Sequence, residues 1–299
     1  MNESQPDSFF STLLKGIAMG SADVVPGVSG GTVAYITGIY TRLLNAIHSI
    51  GMNSFIILKN DGIYPFWKKI DGKFLSTLFL GIGTSILSLS KVVLWGLENY
   101  AEIVWSFFFG LIIASIPLIF SQISRNIRLK QWLPFSIIGF CIGSLITFLP
   151  TANQELTLSY VLLSGFIAIC AMILPGLSGS FILILLGSYK GILEGLHNLD
   201  WMLIITFISG ALMGLIIFGR SLRYLFQKFP NPMTGIMGGF IIGSLIKIYP
   251  FKYIQSNGIE YPRLMTLEDP IILCFTASLI GFIFLTGLNK FAVNKTQKL

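Results

Sequence analysis

Six stretches of this chain stay apolar for about 20 residues, and their length limits what the chain can fold into. A helix of about 20 residues rises about 30 Å, which matches the hydrocarbon core of a lipid bilayer. The stretches are 74–95, 103–120, 132–150, 201–222, 233–250 and 269–288. Of the 299 residues 54% are hydrophobic and only 11% are charged, too few to cover a water-exposed surface. The sequence therefore predicts an all-α polytopic membrane protein.

The net charge of +7 does not indicate a nucleic-acid partner. The basic residues lie in short loops between apolar stretches and form no continuous basic face, so the bilayer is the expected surrounding. Cys141, Cys170 and Cys274 each lie inside an apolar stretch, with no paired spacing and no histidine nearby. We therefore expect no metal site and no bound cofactor.

Two further apolar regions, 9–47 and 158–196, are interrupted at their centres. The interruptions are Pro26-Gly27-Val28-Ser29-Gly30-Gly31-Thr32 and Pro175-Gly176-Leu177-Ser178-Gly179-Ser180. Proline and closely spaced glycines break a helix, so each region is predicted to form two arms of about four turns. Such arms fit a re-entrant hairpin whose loop is buried in protein, although two complete spans per region remain an alternative.

The two broken regions resemble each other when one is shifted by 149 positions. The identical pairs are Gly16/Gly165, Ala22/Ala171, Pro26/Pro175, Gly27/Gly176, Ser29/Ser178, Gly30/Gly179, Gly38/Gly187, Tyr40/Tyr189 and Leu44/Leu193. Each half of the chain, 1–150 and 151–299, then contains one hairpin and three spans. Because three is odd, the second half must enter the membrane from the opposite face, and we predict two inverted repeats.

The charges of the loops indicate the orientation of the chain. The segments rich in Lys and Arg are 48–73, 121–131, 220–230 and the C-terminal tail. The loops between them, at 91–102, 150–158 and 189–200, are acidic or balanced, and 247–268 is nearly neutral. Basic loops stay in the cytoplasm, so both termini are predicted to be cytoplasmic in a multi-pass cytoplasmic membrane protein.

Both interruptions open a helix, which makes them candidate sites for an anion. Free backbone N–H groups and the positive end of the helix dipole point into such a break, and serine and threonine hydroxyls add donors. The competing interpretation is close helix packing by small residues. The candidate substrate-binding residues are Pro26, Gly27, Ser29, Gly30, Gly31, Thr32, Pro175, Gly176, Ser178, Gly179, Ser180, Tyr40 and Tyr189.

Three charged residues near the first interruption have two interpretations each. Asp23 precedes Pro26 by three residues, where it could bind a coupling H⁺ or Na⁺ or could cap the broken loop. Lys15 and Arg42 flank the same hairpin and could neutralise a phosphate, or could extend to the membrane interface.

The motifs resemble those of a known family. Gly16-x-x-Met19-Gly20-x-Ala22-Asp23-Val24-Val25-Pro26-Gly27-Val28-Ser29-Gly30-Gly31-Thr32, followed by Gly38-Ile39-Tyr40, is similar to the signature of the bacterial and archaeal polyprenyl-phosphate transporters. Leu174-Pro175-Gly176-Leu177-Ser178-Gly179-Ser180-Phe181, followed by Gly187-Ser188-Tyr189, is similar to their second signature. The resemblance covers nearly the whole chain. It implies transport of undecaprenyl phosphate, the lipid carrier of cell-wall precursors, from the outer to the cytoplasmic leaflet.

Two other functions are alternatives to lipid transport. The second motif also resembles that of undecaprenyl-pyrophosphate phosphatase, whose segment carries an arginine where this chain has Gly179. The paired glutamates of that hydrolase have no counterpart between Met19 and Val25, so the groups for pyrophosphate cleavage are missing and no enzyme is predicted. An ion or small-anion transporter is the other alternative. The sequence leaves oligomeric partners open.

Overall fold

The computed structural model describes residues 8–24, 29–124, 126–152, 154–254 and 260–297, and most of them are helical. The α-helices are α1 Phe9–Val24, α2 Gly30–Ile36, α3 Tyr40–Ser49, α4 Met52–Asn60, α5 Ile63–Lys69, α6 Gly72–Asn99, α7 Ala101–Phe120, α8 Leu133–Thr147, α9 Leu158–Ile173, α10 Gly179–Leu185, α11 Tyr189–His197, α12 Trp201–Lys228, α13 Pro230–Ile248 and α14 Ile271–Gln297. A 3₁₀ turn covers Leu129–Gln131. The helical class is confirmed.

Two short helices and two strands were not predicted. α4 and α5 lie in the basic segment 48–73, which the apolar pattern assigns to a loop. Strands β1 Lys252–Ile254 and β2 Glu260–Pro262 pair antiparallel in the segment 247–268, so the fold is not purely α-helical. Short elements leave no long apolar signal, and hydropathy alone therefore misses them.

The six predicted spans all coincide with helices, but the helices differ in length and polarity. By length and composition α7 and α12 could each cross a membrane. Two bent pairs meet the same test jointly: α5 with Gly72–Ser88, bent by 70°, and α10 with Tyr189–Leu196, bent by 111°. The described residues thus contain two candidate spans, or up to four, and by this measure the chain is a multi-pass membrane protein.

The predicted spans 132–150 and 269–288 are shorter than expected. α8 has only 15 residues and rises about 22 Å, less than a hydrocarbon core of about 30 Å. The apolar part of α14 is Ile271–Gly287. The described residues therefore do not form six separate full-length spans. Apolar residues in the flanking turns lengthen the hydropathy signal without lengthening the helix.

The second arm of each hairpin is divided, which corrects the prediction of continuous four-turn arms. Gly38, with φ +76°, separates α2 from α3, and Gly187, with φ +65°, separates α10 from α11. At the first break Gly38 N–H donates to Tyr35 O, and Ile39 N–H donates to Ala34 O. These two hydrogen bonds are the pattern of a Schellman cap. Gly187 and Ser188 repeat that pattern at the second break. The repeated Gly-x-Tyr sequence is therefore a helix stop followed by a helix start.

Four long helix pairs hold the molecule together. α1 packs along α6 and α9 along α12, whereas α7 packs along α14 and α8 along α13. Glycines let these backbones touch: a Cβ at Gly20 of α1 would lie 2.7 Å from Ile82 O of α6, and a Cβ at Gly243 of α13 would lie 2.8 Å from Phe140 O of α8. The last two pairs join a helix of the segment 1–150 to a helix of the segment 151–299.

Helix bounds recur between the two segments. α1 and α9 both span 16 residues and begin 149 positions apart, and the seven-residue helices α2 and α10 keep the same spacing. α6 and α12 both span 28 residues. The environments differ, however, because all seven residues of α2 are buried among α1, α7 and α9, whereas only Phe181 and Leu183 of α10 are buried.

Much of the exposed surface of α12 is apolar. α12 exposes Ile205, Ile208 and Leu212 over about half of each side chain or more. A soluble monomer rarely exposes such a continuous apolar face. The pattern agrees with lipid as the surrounding of this helix.

Candidate functional site

The start of α2 is closed by oxygens of the chain itself. The Ser29 side chain caps the helix, with Oγ accepting from Gly31 N–H at 3.1 Å, and the Ser29 carbonyl accepts from Thr32 N–H at 3.0 Å. The carboxylate of Asp23, from the last turn of α1, accepts from Gly30 N–H at 2.7 Å. The amide groups proposed to bind an anion are therefore already hydrogen-bonded in this conformation. Pro26 and Gly27 lie outside the described residues.

Asp23 occupies a confined position between α1 and α2. A Cβ on residue 30 would lie 2.5 Å from Asp23 Oδ2, so only glycine fits opposite this carboxylate. Oδ1 makes the bond to Gly30 N–H, and Oδ2 is buried with no hydrogen-bond partner among the described residues. The capping interpretation thus has direct geometry for one oxygen of the carboxylate, and the described residues give the other oxygen no partner.

The second motif turns sharply before α10. Gly176 has φ +89°, and a Cβ there would lie 2.7 Å from the backbone carbon of Phe240 in α13, so both its conformation and its surroundings require glycine. Ser178 caps α10 by accepting from Phe181 N–H at 3.4 Å, and its hydroxyl lies 3.0 Å from that of Ser180. Pro175 is buried, and Gly179 packs against Ala168 O of α9.

The two motifs touch each other. Gly176 N–H donates to Thr32 Oγ1 at 2.8 Å, and Ser29 Oγ–H donates to Met172 O at 3.4 Å. The Tyr40 hydroxyl donates to Ile173 O at 2.9 Å, at the end of α9. The structure therefore brings the predicted residues Ser29, Thr32, Tyr40 and Gly176 together, and it leaves no space for a phosphate between Thr32 and Gly176.

Other predicted residues lie away from this contact. Arg42 forms a two-point ion pair with Asp71, at 2.6 and 3.0 Å, and stacks 4.3 Å over the ring of Phe74, so its charge is balanced at the start of α6. Tyr189 is 37% exposed, unlike its buried counterpart Tyr40. Lys15 is half-buried on α1.

A small pocket lies beside the second motif, and it contains a residue that the sequence analysis missed. Gly176, Ser178 and Phe181 line one side, and Lys247 lines the other together with Thr147 and Ser244. Lys247 lies three residues after Ser244, in the last turn of α13. A lysine at the end of an apolar stretch usually marks the interface, so its position next to a repeated motif was not recognisable without the fold.

No metal site is evident in the described part of the chain. No three His, Cys, Asp or Glu side chains lie close enough there to hold a metal ion. The prediction that function needs no metal stays a prediction.

Replacing Thr32 by valine should measure the contact between the motifs. Valine keeps the shape but removes the acceptor, which leaves the buried Gly176 N–H unpaired and should cost about 1–3 kcal/mol of unfolding free energy. Unfolding in mixed detergent micelles measures the change. Thr206→Val is the control, because that exposed hydroxyl bonds only to Met202 O in its own helix. Equal effects of the two substitutions would contradict the interloop hydrogen bond.

Two curated proteins resemble this chain over most of its length. A polyprenyl-phosphate transporter of Vibrio cholerae serotype O1 is 38% identical over 303 aligned residues, covering 95% of this chain and 97% of that protein. A polyprenyl-phosphate transporter of Staphylococcus aureus is 31% identical over 257 aligned residues, covering 80% of this chain and 85% of that protein. No solved structure matches the chain.

A family model described as undecaprenyl phosphate translocase-like matches residues 19–261. The match includes both Pro-Gly-x-Ser-Gly motifs and the pocket beside the second. The family predicted from these motifs is thereby confirmed. This chain belongs to the undecaprenyl phosphate translocase-like family.

Proposed function

We propose that this chain moves polyprenyl phosphate from one leaflet of the cytoplasmic membrane to the other, in the recycling of the undecaprenyl carrier. The observation that carries the proposal is the nearly complete match to a protein named polyprenyl-phosphate transporter, with 95% of this chain aligned. The apolar helices supply a surface for the isoprenoid tail, and the two polar motifs supply groups for the phosphate. The activity is transport without hydrolysis of the lipid.

The architecture proposed for this function is a pair of inverted repeats, 1–150 and 151–299. Its support is the recurrence of helix bounds at one spacing and the matching contacts, since α1 packs on α6 as α9 packs on α12. Inverted repeats with broken helices are typical of transporters that open alternately to the two sides of a membrane. The basic loops and both termini would face the cytoplasm.

The phosphate site proposed here consists of the hydroxyls of Ser29, Thr32, Ser178 and Ser180 and the amides around them. Because Thr32 and Gly176 are in contact, this conformation is a closed one, and binding requires the motifs to separate. The moving parts would be the two hairpins with α6 and α12, since α7, α8, α13 and α14 are joined across the two segments. Movement of each hairpin would open the site to one leaflet in turn.

Single cysteines at Lys59 and Glu194 should test the inversion, because both residues are exposed. Lys59 lies in the basic segment after the first hairpin, and Glu194 lies at the end of the second hairpin, in the loop 189–200. In a background with Cys141, Cys170 and Cys274 changed to alanine, an impermeant maleimide should label Glu194→Cys in intact cells. Lys59→Cys should react only after permeabilisation. Reaction of both cysteines from one side would contradict the inverted arrangement.

Transport should be measurable in liposomes that contain purified protein and labelled polyprenyl phosphate. An external phosphatase hydrolyses lipid only in the outer leaflet, so wild-type protein should make the whole pool accessible and empty liposomes about half. The double variant Ser29→Ala/Ser178→Ala should be slower by at least about tenfold, since two hydrogen bonds to a charged group are lost.

The matched control is Ser88→Ala/Ser221→Ala, because these exposed hydroxyls bond only to carbonyls of their own helices. A wild-type rate in Ser29→Ala/Ser178→Ala would eliminate the proposed phosphate site. Absence of transport by the wild-type protein would eliminate the function itself. Without external phosphatase, release of phosphate from polyprenyl pyrophosphate would identify an enzyme, and protection against thermal unfolding by chloride would identify a small-anion transporter.

Asp23 is the proposed site for a coupling H⁺ or Na⁺. The support is that Oδ2 is buried without a hydrogen-bond partner among the described residues. A proton or a cation would stabilise such a buried carboxylate. Asp23→Asn keeps an acceptor for Gly30 N–H but removes the charge. Transport driven by an imposed pH or Na⁺ gradient should then lose its dependence on the gradient, while passive equilibration continues. An unchanged gradient response would leave Asp23 as a capping residue only.

A further inference from the structure

Lys247 joins the second motif to the strands that follow α13. Its ammonium lies 4.5 Å from the ring centre of Phe181 in α10 and 3.0 Å from Glu260 Oε2 in β2. Only 14% of the side chain is exposed. Among the described residues that line the pocket beside Ser178, Lys247 is the one with a charge.

A second lysine competes for the same carboxylate oxygen. Lys252 lies 3.2 Å from Glu260 Oε2 and 3.8 Å from the ring centre of Trp105, with 10% of its side chain exposed. Burial lowers the pKa of Lys252 to about 8, against the opposing effect of Glu260. Burial alone would raise the pKa of Glu260, but Lys252 and Lys247 hold it below its usual value.

The cluster therefore holds two cations and one anion when both lysines are protonated. A buried charge without a full partner is costly, so such a cluster attracts a further anion. Lys247 and Lys252 both donate to the same oxygen, Oε2 of Glu260. Each lysine ammonium has three donors, so this one oxygen does not satisfy them. An anion that offers more oxygens can therefore replace the Glu260 carboxylate at the Lys247 ammonium.

Most of the other polar groups of the pocket already donate their protons to protein atoms. Ser244 Oγ–H donates to Ile241 O at 2.8 Å, and Thr147 Oγ1–H donates to Gly143 O at 3.1 Å. These hydroxyl protons are used inside their own helices. Ser178 and Ser180 share one contact at 3.0 Å, which leaves one hydroxyl proton of that pair to reach a ligand. The ammonium of Lys247 is the strongest donor available to a phosphate here.

We propose that Lys247 binds the phosphate of the polyprenyl phosphate beside the second motif, and that this phosphate replaces the Glu260 carboxylate. The inference rests on the proposed function and adds a residue and a specificity to it. A phosphomonoester has enough charge and oxygens to displace Glu260, whereas the uncharged polyprenol does not. Lys247 thereby selects the phosphorylated lipid.

The test measures binding of a short-chain polyprenyl phosphate to the purified full chain in detergent micelles. Lys247→Gln should weaken binding by at least about tenfold, as expected when a charge-assisted hydrogen bond is lost. Lys247→Arg should recover part of it by keeping the charge. Glu260→Gln should bind several times more tightly, since the competing anion is gone, and a purely structural role of the ion pair would not produce this gain.

The control is Lys190→Gln, which removes an exposed lysine on α11 that pairs only loosely, at 3.7 Å, with Glu194. It should bind like the wild type. Inorganic phosphate and polyprenol are the comparison ligands. Tight binding of inorganic phosphate would show a site for the free ion and would overturn selection of the lipid.

Two outcomes separate this inference from the proposed function. If wild-type protein binds polyprenyl phosphate and Lys247→Gln binds it equally well, the role of Lys247 is refuted and the function stands. If wild-type protein neither binds nor moves the lipid, the function fails. Weaker binding by Glu260→Gln would refute the exchange of carboxylate for phosphate. The thermal midpoint of each variant without ligand checks that it is folded, and Lys247→Arg replaces Lys247→Gln if the latter is not.

Discussion

The hydrogen bond from Gly176 N–H to Thr32 Oγ1 joins two breaks that lie far apart in the sequence, and the buried core is arranged around it. It requires a positive φ at Gly176 and close approach to Phe240, which only glycine permits. Around it α2 is buried completely, and Tyr40 reaches the end of α9. An unpaired amide at this depth would be costly, so each loop determines the position of the other.

Both motifs have a carboxylate of the chain itself close by. Asp23 accepts from the first amide of α2, and Glu260 accepts from Lys247 beside the second motif. An empty site that kept buried donors unpaired would be destabilised, so these carboxylates stabilise the protein without ligand. At the proposed phosphate site, the affinity for an external anion would then be the difference between its bonds and those of the internal carboxylate. Modest affinity suits a carrier that must release its ligand.

The sequence predicts the local features of this fold better than its contacts. Apolar length locates the long helices, and the Pro-Gly clusters locate the breaks, because both effects act within a few residues. Gly38 and Gly187 were visible as repeated residues, but their role as helix stops depends on φ, which repetition does not reveal. The end of α8 was also predicted too late in the sequence, since apolar residues continue beyond Thr147, where the helix ends.

The candidate site was predictable only in part for a related reason. Ser29 and Gly176 were identified from a repeated pattern, and Thr32 as a hydroxyl of the first interruption. Thr32 does contact Gly176, and Ser29 contacts Met172 shortly before the second motif. Lys247 belongs to no repeated pattern, and its role follows from α13 lying beside α10, a contact between distant parts of the chain. Arg42 was a candidate phosphate ligand by sequence, but it forms an ion pair with Asp71, 29 residues later, which neutralises its charge.

The pairing of α7 with α14 and of α8 with α13 affects how the protein is made. The faces of α7 and α8 that carry Gly110, Gly139 and Gly143 emerge from the ribosome long before α14 and α13 exist to cover them. At about 5–20 residues per second, α7 waits on the order of ten seconds for its partner. Assembly of the core is completed only when the last helix has been inserted.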